Sequence, residues 1–205
     1  GMALTDHGNM FGIKEFFNYV NKKNKGKPDA EKFKPILGCE MYVAKGDKSA
    51  RGDKSDNGLH LIVLAKNKKG YHNLVKLVSR AWTDGYYFKP RTDHADLEKY
   101  HEGLIIASAC LGGEVPQHVL NGRLDEAEKC ILWYRSIFGE DYYLELQRHK
   151  TDKPNANTET IMHQEQVNPF LIEMSRKHGI KLIATNDSHF VNEEDAEAHD
   201  RLICV

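Results

Sequence analysis

The sequence predicts an α/β fold, and three observations carry that prediction. Apolar runs of strand length alternate with amphipathic segments of helix length. The strand-like runs are continuously apolar, the pattern of a parallel sheet covered by helices on its outside. Residues of metal-binding type lie just past several of these runs, at Asp6-His7-Gly8, Glu40, Cys110 and Asp187-Ser188-His189. Parallel α/β folds gather their chemistry at such carboxyl ends of strands. A (β/α) barrel and an open doubly wound sheet both fit the alternation. Neither a G-x-G-x-x-G turn nor a phosphate loop is present, which removes the commonest reasons for an open nucleotide-binding sheet. The placing of the chemistry therefore favours a barrel.

The elements follow in order. Met2 to Thr5 is strand-like and reads as buried. Phe11 to Val20 is helical, with Phe16, Phe17 and Val20 spaced for one face. Pro35 to Val43 is a strand, and Gly46 to Gly58, rich in glycine, serine and charge, reads as a mobile exposed loop. Leu59 to Ala65 is a strand, followed by a helix over Tyr71 to Trp82 with Leu74, Leu77 and Val78 on its apolar stripe. Leu104 to Ala109 is a strand, Leu124 to Phe138 a helix closed by Gly139, and Tyr142 to Leu146 a strand. A long helix is expected from Thr158 to His178, closed by Gly179, with Asn168-Pro169 kinking or breaking it. The strand Lys181 to Thr185 and a helix from Glu193 complete the chain.

At 205 residues, this is one domain, long enough to bury a core. Hydrophobic residues make up 40% and charged residues 29%, ordinary for a globular protein. A net charge of −1 excludes a bulk field drawing the chain onto nucleic acid, so any such contact needs a local basic patch. No run approaches the ~18 apolar residues of a membrane span, and the expected location is the cytoplasm. The four cysteines lie far apart without a C-x-x-C pair and read as reduced thiols. The chain opens inside a strand and closes in the run Asp200 to Val205 in mid-pattern, so residues 1–205 are expected to be an excerpt of a domain.

Asp187 and His189 are the sharpest pair, because residues i and i+2 of extended backbone point the same way. A carboxylate beside an imidazole suits Zn²⁺, Mn²⁺ or Fe²⁺ better than Ca²⁺. Each residue alone has an ordinary reading: His7 as a solvated loop histidine, Cys110 as a packed thiol, Glu40 as a charge needing a partner if buried. His60 precedes its strand, so spacing does not recommend it. Metal-type residues at four strand ends together support a metal site on an α/β scaffold. Separately, Lys89 and Arg91 follow two tyrosines and a phenylalanine, and Arg148 follows a strand. These cations suit phosphate contact beside base-stacking rings, or are solvated loop residues.

Thr5-Asp6-His7-Gly8-Asn9-Met10-Phe11-Gly12 resembles the second motif of the PHP (polymerase and histidinol phosphatase) family as it occurs in bacterial DNA polymerase III α subunits. Gly38 to Val43, His60 to Ala65, Gly85 to Arg91, Ala109 to Val115, Tyr142 to Gln147 and Ala184 to Phe190 resemble its later blocks in the same order. That resemblance implies a distorted (β/α)7 TIM-like barrel of PHP type, incomplete at the amino end, with up to three metals at the strand carboxyl ends. By motif, the implied ligands are His7, Glu40, His60, Cys110, Asp187 and His189. The other eight histidines match no ligand position and are expected on surfaces or helices. The family's first His-x-His motif would lie upstream of Gly1, and the polymerase carboxylates would lie downstream.

The resemblance further implies metal-dependent phosphodiester hydrolysis, as in 3′→5′ proofreading, within a parent that is a DNA-directed DNA polymerase. Implied partners, reached through that parent, are DNA, a separate proofreading subunit and the sliding clamp. Two other readings stand beside it: a non-catalytic docking domain of the same replicase, and a free-standing PHP phosphatase. Three sub-sites sharing Glu40 are implied, of which only Glu40, His60 and Cys110 lie wholly within the chain. About one tightly bound zinc and little nuclease activity are therefore expected of it.

Overall fold

The computed structural model describes residues 1–53, 55–150 and 158–204. Position 54 of the expected 46–58 loop and Val205 of the last expected run lie outside the described residues. The elements run β1 (Met2–Leu4), α1 (Ile13–Asn24), β2 (Pro35–Val43), β3 (Leu59–Ala65), α2 (Lys68–Thr83), β4 (Tyr86–Tyr87) and β5 (Lys89–Thr92). They continue α3 (His94–Lys99), β6 (Leu104–Ala107), α4 (Glu114–Leu120), α5 (Leu124–Phe138), β7 (Tyr142–Gln147), α6 (Glu159–His178), β8 (Lys181–Thr185) and α7 (Asp195–Ile203). The strands form one curled sheet, a partial barrel ordered β4-β5-β2-β3-β6-β7-β8, with β1 also on β2. One edge of β2 is shared. Its first residues pair with β1, and Tyr42 and Val43 pair with Arg91 and Thr92 of β5.

The sheet is mixed, not parallel throughout. β3 runs antiparallel to both β2 and β6, and β4–β5 is a hairpin. The reason lies in the connection: β2 and β3 are joined without a helix, and a strand that returns without a crossover lies antiparallel to the one it leaves. Side chains alternate across the sheet. Cys39, Met41 and Val43 of β2, Leu61 and Val63 of β3, Ile106 of β6 and Leu144 of β7 join the buried core with Leu74 and Leu77 of α2, Ile131 and Tyr134 of α5, and Leu171 and Met174 of α6. Each such side chain contributes about 1.5–3 kcal/mol by burial. The opposite parity puts Glu40, Tyr42, His60, Glu145 and Gln147 on the inner face.

Four sequence expectations are corrected. β1 is not a buried strand: Met2 and Ala3 are exposed and Leu4 is half-buried, because β1 lies at the margin of the sheet on β2. α1 starts at Ile13 and buries Ile13, Val20 and Asn24, whereas Phe17 is exposed. α6 runs through Pro169 without a break; neighbouring Asn168 donates from Nδ2 to the Gln147 carbonyl at 2.9 Å. It ends at Gly179, whose φ of 62° is the left-handed conformation that glycine adopts freely. Finally, the described part of the 46–58 loop is tied down. Lys48 Nζ lies 3.2 Å from Asp93 and 3.1 Å from Asp96, and Asp56 is held by Arg91 at 2.9 Å. Its charges find partners from β5 and α3, which no local pattern reveals.

Behind the inner face, Glu114 at the start of α4 accepts from Tyr134 Oη at 3.0 Å and meets His94 Nε2 at 3.0 Å. The His94 ring stacks on Trp133 with centroids 3.9 Å apart. Burial pushes the Glu114 carboxyl up, but the His94 and Tyr134 contacts outweigh it and hold it below its ordinary range. A depressed carboxyl stabilises the fold above its unfolded pKa, and that stabilisation is lost as pH falls through the folded pKa. Glu114→Gln is expected to cost about 1.5–3 kcal/mol at neutral pH. The deficit should shrink towards acid pH; chemical denaturation at several pH values checks this, and a pH-independent deficit would count against an ionised Glu114 held by these contacts.

Candidate metal centre

The carboxyl ends of β1, β2, β6, β7 and β8 share one rim, and because β3 is reversed its amino end lies there too. Past β1 the chain stays beside β2. Glu40 N donates to the Asp6 carbonyl at 3.1 Å, and Gly8 N donates to the Glu40 carbonyl at 2.8 Å. This bridge sets His7 beside Glu40. Across the rim, His60 N donates to the Gly112 carbonyl at 2.9 Å, which draws the turn after β6 and its Cys110 against His60. Ala109, just before Cys110, and Asp187 both hold positive φ, 62° and 49°. Non-glycine residues rarely adopt that conformation, and such strain concentrates at functional sites.

The side chains converge. His60 Nδ1 lies 2.7 Å from Glu40 Oε1, and Cys110 Sγ lies 3.5 Å from His60 Nδ1 and 3.8 Å from Glu40 Oε1. On the other side of Glu40, His7 Nε2 is 3.7 Å from its Oε2 and 3.1 Å from His189 Nε2. One ligand atom each from His7, Glu40 and His60 can be chosen so that all lie within 4.8 Å of one another. His189 Nδ1 is 2.8 Å from the Asp187 carbonyl, which accepts a hydrogen bond from it and turns Nε2 towards His7. Imidazole, carboxylate and thiol donors crowded round one carboxylate fit a divalent cation of borderline softness.

Electrostatics fit the same reading. Burial raises the Glu40 carboxyl, but the His60 hydrogen bond and the His7, His60 and His189 charges outweigh it, so the group is held ionised. Burial lowers His7, favouring the neutral ring that can bind a metal. Burial, then the Glu40 charge, push Cys110 up to about 12 and raise Asp187. The centre is thus a carboxylate held ionised beside a His7 ring that burial shifts towards its neutral form, and a cation there would compete with the proton of the Cys110 thiol.

A family model described as the PHP domain matches residues 1–149. The chain belongs to the PHP domain family. It is also similar along its whole length to proteins named DNA polymerase III subunit alpha: 45% identical to that of Borreliella burgdorferi, 42% to that of Thermus aquaticus and 40% to that of Deinococcus radiodurans. It covers 100% of itself in each case, but only 16%, 16% and 14% of those relatives.

In this PHP domain His7, Glu40, His60, Cys110 and His189 are joined by the contacts above, and Asp187 meets them through His189, its Oδ1 4.0 Å from His189 Nδ1. Among the cations expected at phosphate, Lys89 and Arg148 are exposed. Arg91 is a correction: it is 1% exposed and its guanidinium is bonded inside the protein, so it cannot reach DNA. Three residues that sequence reasoning passed over also serve the site. Tyr42 stacks on His7 at 5.9 Å and meets His60 edge-on at 5.3 Å. Glu145 is buried on the inner face, and its Oε2 has no hydrogen-bond partner among the described residues. Its alternation with leucines in β7 was the available signal. His149 is neither a helix residue nor merely solvated, since its Nε2 meets the Asn186 carbonyl at 2.7 Å, steadying the turn before Asp187.

Gly8 is required twice over. Its φ is 65°, and a Cβ there would meet Pro90 Cγ at 2.7 Å and the Tyr42 ring at 3.1 Å. Gly8→Ala is expected to cost about 1–3 kcal/mol. Because it displaces His7, it should also weaken metal binding. Unchanged melting and metal content would overturn that account.

Proposed function

We propose that this PHP domain is a metal-dependent phosphodiesterase module of a bacterial replicative DNA polymerase α subunit, acting on DNA 3′ ends as a proofreading exonuclease. The observation that carries it is the convergence of His7, His60, Cys110 and His189 on the buried carboxylate Glu40. Similarity to polymerase III α subunits along the whole chain supports the parent and the DNA substrate. The same reading includes a cytoplasmic setting, with a proofreading subunit and a sliding clamp reached through the parent. Among the described residues no helix is long and apolar enough to cross a membrane.

Zinc fits the donors best, with manganese and iron as alternatives. A bound divalent ion supplies a hydroxide near neutral pH and counters phosphate charge. The chain's own residues do the rest. Glu40 holds the two halves of the donor set together through His60 and His7. Tyr42 walls the His7 and His60 rings and fixes their orientation. Asp187, through its carbonyl, orients the His189 ring with Nε2 towards His7. The test is release of 3′ nucleotides from labelled single-stranded DNA by the full-length polypeptide, with zinc or manganese and with chelator. Chelator-sensitive release that Glu40→Gln abolishes is expected. Release surviving both treatments, or none with metal bound, overturns the proposal; the second outcome assigns the centre a structural role.

A further inference from the structure

We infer that the β4–β5 hairpin and the end of α2 form a stacking platform for single-stranded nucleic acid beside the metal centre. The inference rests on the phosphodiesterase reading above and gives that site its strand-binding surface. Three large rings close in sequence face solvent: Trp82 is 45% exposed, Tyr86 49% and Phe88 59%. Trp82 and Tyr86 stack on each other with centroids 5.4 Å apart and planes at 20°. Phe88 forms the turn of the hairpin at a φ of 59°. A bulky residue is strained there, and its ring, though it meets Tyr87 at 4.6 Å, is left 59% exposed. Three large rings left open to solvent, one of them on strained backbone, are the surface a stacking ligand would use.

The surroundings select the ligand. Exposed Lys89 has its Nζ 5.4 Å from the Tyr42 ring centroid, and Arg51, whose guanidinium donates to the Lys48, Ala50 and Asp84 carbonyls, lies over Tyr87 at 5.9 Å. Asp84, the acidic neighbour, already has Arg80 at 3.2 Å. An exposed lysine beside the exposed Trp82, Tyr86 and Phe88 rings matches a strand that offers phosphates and unpaired bases; duplex bases, already stacked, cannot use the rings. The platform is also coupled to the centre. Trp82 Nε1 donates to the Gly8 carbonyl at 2.8 Å, and Gly8 directly follows His7. Lys89 sits on the ring that stacks against His7. A base on Tyr86 or Phe88 would thus hold its strand beside the metal ligands. This replaces the buried Arg91 with Trp82, Tyr86 and Phe88 and retains Lys89.

The test is photocrosslinking of a single strand carrying 5-iodouracil to the full-length polypeptide, followed by mapping of the modified peptides. Crosslinks are expected on residues 81–89, persisting in chelator and competed by unlabelled single strand more than by duplex. Tyr86→Ala with Phe88→Ala should lower that crosslink yield about tenfold or more, the loss of one or two stacked bases. Both rings are exposed, so unchanged melting should accompany the loss. Lys89→Gln should weaken crosslinking most at low salt. Crosslinks at 81–89 without any cleavage support the platform while refuting the phosphodiesterase reading. Cleavage with no crosslink in that segment overturns the platform alone, and the absence of both overturns both. Protection of the patch by another replicase protein in the absence of DNA assigns it to a protein partner and likewise overturns the inference.

Discussion

Glu40→Gln is expected to strip this PHP domain of tightly bound divalent metal. Removing an outer partner of a metal ligand already costs about 10–100-fold in affinity, and Glu40 is the carboxylate on which both halves of the donor set converge. Its loss should exceed that range. The amide would keep the size of the side chain and one acceptor for His60, so the fold should persist while the anion is gone. Elemental analysis after dialysis, with competition against a chromophoric chelator, reads the effect. About one zinc per chain is expected of the unaltered domain, held by Glu40, His60 and either Cys110 or His7. Cys110→Ser against His7→Ala decides between those two. Zinc content unchanged in Glu40→Gln would sink the site as drawn.

Arg91→Ala is expected to be the most destabilising single change outside the apolar core, by about 3–5 kcal/mol. The guanidinium pairs with Asp56 at 2.9 Å and donates to the carbonyls of Lys48 at 3.0 Å, Ala50 at 2.7 Å and Asp56 at 3.2 Å. Its Nε donates to the Gly85 carbonyl at 3.3 Å. Removing it leaves the Asp56 carboxylate and several carbonyls without this donor. Arg91→Lys should recover little, because an ammonium cannot span that fan of acceptors. Urea denaturation measures the loss, and limited proteolysis should show cleavage moving into residues 46–58. A fully stable Arg91→Ala that binds DNA less well would restore the surface role expected from its aromatic neighbours.

Much of the fold was legible because it depends on local patterns. The apolar stripe of α2, the run of β2 and the glycine closing α6 are each set by a few consecutive residues. What was misread depends on partners distant in sequence. The 46–58 segment has the composition of a free loop, yet its Lys48 pairs with Asp93 and Asp96 and its Asp56 with Arg91. Pro169 removes one helical donor, but packing of Val167, Leu171 and Met174 into the core holds α6 continuous.

For the site the division is sharper. Sequence by itself determined the chemistry on offer, namely Asp-x-His after β8, a histidine after β1, a thiol after β6, and a glutamate whose parity in β2 is opposite to that of Cys39 and Met41. Only the tertiary structure decided that they meet. Strand direction does not appear in the residues of a strand, and the antiparallel course of β3 is what brings His60, at its amino end, to the same rim as the carboxyl ends of its neighbours. The same holds for Lys89 and Arg91, two residues apart in β5, whose shared parity gives no reason to treat them differently. The 46–58 segment folds over Arg91 and takes its guanidinium with Asp56, while Lys89 stays exposed beside Tyr42. Composition names the charges, and the packing of distant segments decides which of them water, or a strand of DNA, can reach.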